Sequence, residues 1–259
     1  MNHQYMFSPR LIKVPNDYSI PIFKIFIESY RRTKGMKKAF WISYLLILLA
    51  MILPAAFIAF LNIILNTMYP LHLRVNLNGF FRIFFYLVVD VGLSFLALQH
   101  IRNHFVKFKM GLEVYEVWKP LAFFGLIPYF LSLIYSFYCK YISTFNFNGT
   151  LYDFEIIVEF ILLLIVLIII SMYIFQLIIM TMLLVLDRDL KVMESFILCF
   201  KSINKHFLKK IGLGLFTGIS CIFLTIVTLG IGLIWLKPMI VTTNAIQYQH
   251  IFGSLFNSN

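Results

Sequence analysis

Four long apolar runs dominate the pattern of hydrophobic and polar positions along the chain. They lie at 39–65, about 80–99, about 120–141 and 156–186. A helix needs about 20 mainly apolar residues to cross the hydrocarbon core of a bilayer. Each run reaches that length, and the first carries no charge at all. The pattern therefore predicts four membrane-spanning helices in the first three quarters of the chain.

The segment 207–250 is also strongly apolar, but it is too long for a single span. It fits two spans joined by a tight turn at Gly230 and Gly232, because glycine adopts backbone angles that a turn requires. We therefore predict a fifth and a sixth span here. The alternative is one last span over 207–236, which Lys237 would end.

Six spans form three hairpins, at about 39–99, 120–186 and 207–249. The sequence thus predicts an all-α fold, a polytopic membrane bundle of six transmembrane helices that makes one membrane domain over 1–259. An even number of spans places both termini on the same side of the membrane. The segment 1–38 precedes the first span on that side.

Each predicted hairpin follows a stretch with helical amphipathic spacing. In 187–210, DRDLKVMESFILCFKSINKHFLKK, apolar side chains recur on one face and most lysines lie elsewhere. The segments 19–38 and 102–118 have comparable stripes. Helices of this type lie in the membrane interface with their apolar side down. We therefore expect each hairpin to be preceded by a basic amphipathic helix, either at the inner leaflet or packed on the ends of the bundle.

Composition and charge agree with this arrangement. Hydrophobic residues make up 61% of the chain and charged residues 13%, with a net charge of +11. Of the 22 lysines and arginines, 18 lie in 1–38, 99–119 and 187–210. The positive-inside rule places these segments, and both termini, in the cytoplasm. The basic excess is thus topology information with attraction to anionic lipid headgroups as a consequence, and we expect no nucleic-acid partner.

Two charged residues lie inside predicted spans. Asp90 is about ten residues from the outer end of the second span, and Lys237 is about six residues past the predicted glycine turn. Charges at such depth are costly and tend to pair or to serve transport. The estimated depths make Asp90 and Lys237 a candidate intramembrane polar pair. The alternatives are a proton or ion relay at Asp90, and a Lys237 side chain that extends outward to the headgroups.

No pattern in the chain indicates catalysis. His100 and His104 are four residues apart, but they lack an HExxH context and a third ligand nearby. The three cysteines have no ligand spacing, and no nucleotide, phosphate or nucleophile motif is present. We therefore expect no catalytic residues, no metal, no cofactor and no enzymatic activity.

The C-terminal third carries a family resemblance. An Asp-Arg-Asp turn leads to a serine-containing helix, followed by IGLGLF, then LGIGLIWLKPMIV with its Gly-x-Gly turn and proline. This order resembles uncharacterised bacterial six-span membrane proteins of the YciC type and the membrane domain attached to some glycerophosphodiesterases. The matching positions are Asp187, Arg188, Ser195, Gly230, Gly232, Pro238 and Tyr248. The resemblance implies an inner-membrane location and a six-span bundle, and it implies no catalytic residues.

Our leading hypothesis is a non-enzymatic protein of the bacterial inner membrane, with both termini cytoplasmic. It would act through contacts of its basic helices with anionic lipids, with another membrane protein or with a second copy of the chain. The alternative is a small transporter or channel, with Asp90 as the candidate residue for a link to protons.

Overall fold

The computed structural model describes residues 21–68, 77–102, 107–143, 151–205 and 207–253. These residues form eight α-helices and one 3-10 helix, and no strand occurs among them, so the all-α prediction is confirmed. The elements are α1 (Ile22–Arg32), α2 (Lys37–Met68), α3 (Leu77–Ile101), the 3-10 helix (Phe108–Val117), α4 (Trp118–Ser143), α5 (Leu151–Arg188), α6 (Val192–Lys205), α7 (Phe207–Val227) and α8 (Leu233–Phe252).

The element order repeats three times as one short helix followed by two long helices. We call these sets unit 1 (α1 to α3), unit 2 (the 3-10 helix, α4 and α5) and unit 3 (α6 to α8). Each short helix packs on the second long helix of the preceding unit: the 3-10 helix on α3 of unit 1, and α6 on α5 of unit 2. Helix α1 packs on α8 of unit 3, so the pattern is cyclic. Because α3, α5 and α8 also contact one another, they form the centre of the bundle.

Five helical stretches are long and apolar enough to cross a membrane, at 37–61, 79–101, 108–137, 158–188 and 207–227. In the stretch within α3, 61% of the most apolar segment is buried, against 11–17% in the other four. The outward faces of α2, α4, α5 and α7 carry large exposed apolar side chains, as expected of a helical membrane protein. Among these five stretches, the one within α3 is therefore the most deeply buried in the bundle.

Helix α8 is the second internal helix, although its sequence is more polar than that of the five apolar stretches. Most of its 20 residues are buried against α3, α1, α5 and α7. Its polar residues include Thr242, Thr243, Asn244 and Gln247. A helix that is surrounded by protein does not need an apolar surface all round. The sequence predicts a sixth span here but does not indicate that α8 lies at the centre of the bundle.

The turn between α7 and α8 contains both glycines of the Gly-x-Gly sequence. Gly230 has φ +87°, in the left-handed region that suits glycine. The backbone N–H of Gly232 donates to Thr228 Oγ1 at 2.8 Å. A Cβ at Gly232 would collide with that hydroxyl. One glycine therefore supplies the backbone angle, and the other leaves room for the side chain that closes the turn.

The middle short element differs from the predicted amphipathic α-helix. It is a 3-10 helix whose side towards α3 presents Gly111, Val114 and Val117. A Cβ at Gly92 of α3 would lie 2.5 Å from the carbonyl oxygen of Gly111. The two backbones are therefore nearly in contact, and close packing, rather than an apolar stripe facing lipid, determines which residues are buried. His104 lies outside the described residues.

Candidate functional site

The structure brings Asp90 and Lys237 together. Lys237 Nζ donates to Asp90 Oδ1 at 2.8 Å, and the two side chains are 31% and 17% exposed. Asp90 lies in the middle of α3, and Lys237 lies in α8 directly before the buried Pro238. The two central helices pack against each other. Each charge therefore has its counter-charge within the bundle, which lowers the cost of holding either one there.

A cavity of about 620 Å³ opens beside this pair, between α4, α5, α7 and α8. Its walls are mostly apolar, with leucine, isoleucine and phenylalanine side chains from all four helices. Its polar lining comes from Asp90, Ser132, Ser171, Gln176, Thr217, Thr243, Asn244 and Gln247. A largely apolar pocket with a few convergent polar groups is the usual form of a small-molecule site.

Gln247 is the most deeply buried polar side chain of the cavity wall, with 2% exposed. Its Oε1 accepts a hydrogen bond from Gln176 Nε2, which links α8 to α5. Among the described residues, neither Gln247 Nε2 nor Thr217 Oγ1 has a hydrogen-bond partner. A buried polar group without a partner costs about 1–3 kcal/mol. The cavity wall thus contains hydrogen-bonding capacity that the protein itself does not use.

Sequence reasoning missed Gln176 and Gln247 as a functional feature. The sequence does contain a group of polar residues in the C-terminal half of α8. Because the end of a membrane span is commonly polar, this group does not by itself indicate a cavity. Only the packing of α8 against α5 shows that this polar group faces a cavity.

A second polar cluster surrounds Asp187, whose side chain is 3% exposed. Arg102 donates from Nη1 to Oδ1 and from Nη2 to Oδ2, the latter at 3.0 Å. Tyr248 donates its hydroxyl to Oδ2 at 2.8 Å, and Arg188 Nε lies 3.0 Å from the same oxygen. This Asp187 cluster joins α3, α5 and α8 at their C-terminal ends. Burial alone would lower the pKa of Arg102, but the hydrogen bond and the charge of Asp187 outweigh it and raise that pKa.

The family-like positions therefore have different roles. Asp187, predicted as a turn residue, lies in the last turn of α5, because α5 continues to Arg188; the left-handed residue that follows is Asp189, with φ +52°. Ser195 is fully buried in α6. Tyr248 belongs to the Asp187 cluster. The matching positions thus hold turns and helix contacts, and three of them, Asp187, Arg188 and Tyr248, meet in the Asp187 cluster.

The outward faces of α1 and α6 match each other. Each shows three exposed apolar side chains, placed at positions i, i+4 and i+7 in both helices, and exposed lysine or arginine side chains lie beside them. We define the α1 surface as Phe23, Ile27 and Tyr30 with Lys24 and Arg31, and the α6 surface as Met193, Ile197 and Phe200 with Lys201 and Lys205. The inward faces carry small residues such as Ser29 and Ser195. The two helices are thus buried on one side and amphipathic on the other.

The titratable groups elsewhere form no metal site in the described part of the chain, where no group of three or more His, Cys, Asp or Glu side chains converges. His100 Nε2 lies 3.2 Å from the carbonyl oxygen of Lys34. Burial raises the pKa of the Cys199 thiol to about 12, so this cysteine is a neutral thiol near pH 7.

Comparisons with protein-family models, with curated proteins and with solved structures gave no significant match for this chain. The resemblance to YciC-type proteins therefore stays a prediction that rests on the residues quoted above.

Proposed function

We propose that the chain is a six-span protein of the bacterial inner membrane with both termini in the cytoplasm, and that it is not an enzyme. Helix α8 would be the sixth span. Its 20 residues correspond to about 30 Å at the rise of an α-helix, which matches the hydrocarbon thickness. The tight turn after α7, with Gly230 at φ +87°, supports a reversal of the chain at this point. The surrounding helices remove the need for an apolar surface on α8.

Reporter fusions test this topology. An alkaline phosphatase fused after residue 253 is expected to be inactive, and a fluorescent protein fused there is expected to fluoresce, because six spans return the chain to the cytoplasm. A fusion after residue 229, in the turn between α7 and α8, serves as the control and should show the opposite pattern. An active phosphatase after residue 253 would mean five spans and would contradict the proposal.

Within this topology, we propose that the protein acts through contacts with anionic lipid at the cytoplasmic face, made by the α1 and α6 surfaces. The observation that carries this is the match between the two surfaces. In both, exposed apolar side chains lie directly beside exposed lysine or arginine. This is the arrangement of helices that lie in the interface of an anionic leaflet. A basic residue near such a leaflet contributes about 1 kcal/mol of attraction.

The expected result is a selective loss of anionic lipid. Protein carrying Lys201→Gln and Lys205→Gln should retain several-fold less phosphatidylglycerol than the wild type, measured by native mass spectrometry after exposure to equal amounts of phosphatidylglycerol and phosphatidylcholine. Two lost charges correspond to about 2 kcal/mol at most.

The matched control is Arg82→Gln, which removes one exposed charge from the N-terminal part of α3. It should lower the lipid ratio less than the α6 double variant does, since Arg82 is a single charge outside the α1 and α6 surfaces. An equal loss of phosphatidylglycerol in both proteins would show that the α6 surface has no special role.

The second candidate function is transport, and the cavity is the observation that favours it. The cavity reaches Asp90 near the middle of α3, where a carboxylate can serve as a proton or ion site. Flux of protons or solutes into liposomes containing the protein, above that of empty vesicles and lost in Asp90→Asn, would favour transport over a lipid-contact role.

A further inference from the structure

We propose that the cavity between α4, α5, α7 and α8 is a binding site for a single-chain amphiphile with an uncharged, hydrogen-bonding headgroup, such as a monoacylglycerol. This site is separate from the α1 and α6 surfaces, and it does not depend on their role. Three features of the cavity support this site: its size and apolar walls, its unused hydrogen-bonding groups, and the sign of the charge that a ligand would meet.

Size and wall chemistry suit one hydrocarbon chain. The volume of about 620 Å³ lies within the usual range of small-molecule sites. Most of the lining is aliphatic or aromatic, including Leu167, Phe175 and Leu213. The wall formed by α7 also contains Gly214 and Gly218, and no atom lies within 4 Å of where a Cβ on Gly218 would be. This part of the cavity is open space that an apolar chain can fill.

The polar part of the cavity requires a hydrogen-bonding ligand. Gln247 Nε2 and Thr217 Oγ1 are buried and have no hydrogen-bond partner among the described residues. Both residues line the cavity, as does Asn244, one helical turn before Tyr248. A hydroxyl group of a ligand can accept from the glutamine amide and donate to the threonine hydroxyl, and an ester oxygen can accept from either. The headgroup would therefore lie between α7 and α8.

Charge excludes an anionic headgroup. Asp90 lines the cavity, whereas its partner Lys237 does not. A carboxylate, sulfate or phosphate headgroup would thus meet the negative member of the pair first. A cationic headgroup would have to compete with Lys237 for Asp90, which already accepts a hydrogen bond from Lys237 Nζ. Only an uncharged headgroup fits the site with the ion pair intact.

Three probes with one oleyl-type chain separate these possibilities: monooleoylglycerol, oleyl sulfate and oleyltrimethylammonium. The full chain, purified in detergent, is incubated with each probe and examined by native mass spectrometry. We expect monooleoylglycerol to bind roughly tenfold more tightly than either charged probe. Equal binding of all three would show that the cavity only accommodates hydrocarbon tails of membrane lipids, and it would overturn the proposal.

Two variants locate the binding. Gly218→Leu places a side chain in the open space without a clash at its Cβ, so the fold should be kept and monooleoylglycerol binding reduced roughly tenfold. Gln247→Leu removes the buried amide, so the preference for monooleoylglycerol over oleyl sulfate should fall several-fold. Ile226→Phe is the control on α7, at an exposed position outside the cavity, and should bind as the wild type does. Unchanged binding in Gly218→Leu would refute the assignment, even if Gln247→Leu failed to fold.

Discussion

Asp187→Ala is expected to lower the free energy of unfolding by about 3 kcal/mol, because removing one member of a buried ion pair leaves the remaining charges uncompensated. Arg102 would lose both of its hydrogen bonds to the carboxylate, and Tyr248 would lose its acceptor. Arg188 would lose its contact with the same oxygen. Thermal unfolding of the purified protein in detergent, followed by circular dichroism, measures the effect.

The control for this experiment is Asp189→Asn, two residues further along the chain. Asp189 is exposed and has φ +52°, which asparagine tolerates. This variant removes one negative charge next to the same end of α5 while leaving the Asp187 cluster intact, so its melting temperature should stay close to that of the wild type. Equal melting temperatures for the two variants would show that the cluster contributes nothing beyond general charge.

The second large effect is expected at the ion pair between α3 and α8. Asp90→Asn and Lys237→Met should each destabilise the protein by roughly 3 kcal/mol, since either change leaves a single charge inside the bundle. The double variant should be more stable than the sum of the two single effects predicts, because no unpaired charge remains. Melting temperatures of the four proteins in one detergent give this coupling.

Lys201→Met is the matched control for Lys237→Met. It removes a lysine from the exposed face of α6, so its cost should stay within a few tenths of a kcal/mol. If Lys237→Met costs no more than Lys201→Met, or if the double variant loses the full sum of the single effects, the pair does not stabilise the bundle.

The sequence could predict Asp90 and Lys237 as a candidate pair because counting residues from the ends of the spans places both side chains inside the membrane. The run of apolar residues gives the depth of Asp90, and the glycine turn gives the depth of Lys237. The turn itself was predictable for a local reason, the backbone angle that Gly230 adopts. Depth and turns are encoded along the chain, so they can be read without knowing which helices are neighbours.

The features that could not be predicted depend on which helices are neighbours in the bundle. Arg102, Asp187 and Tyr248 lie at the ends of three helices, and no periodic pattern states that these ends meet. For the same reason the central position of α8 and its cavity-facing Gln247 were missed.

The short helices illustrate a different limit. For α1 the sequence leaves open whether the apolar stripe faces lipid or packs on the bundle; its members Phe23, Ile27 and Tyr30 are exposed, and Ile25 and Ser29 are buried. Small side chains allow helices to approach closely, so a serine can mark the packed face as well as a leucine can. A stripe of large apolar residues on a membrane protein therefore does not show which side meets protein and which meets lipid.

The cyclic packing of the units has a consequence for biosynthesis. Helix α1 is the first described element to leave the ribosome, and it packs mainly on α8, the last one. Its binding site therefore does not exist until almost the whole chain has been inserted. The contact that closes the ring of three units therefore forms only after α8 has been synthesised. A chain that ends before α8 consequently lacks the main packing partner of its first described helix.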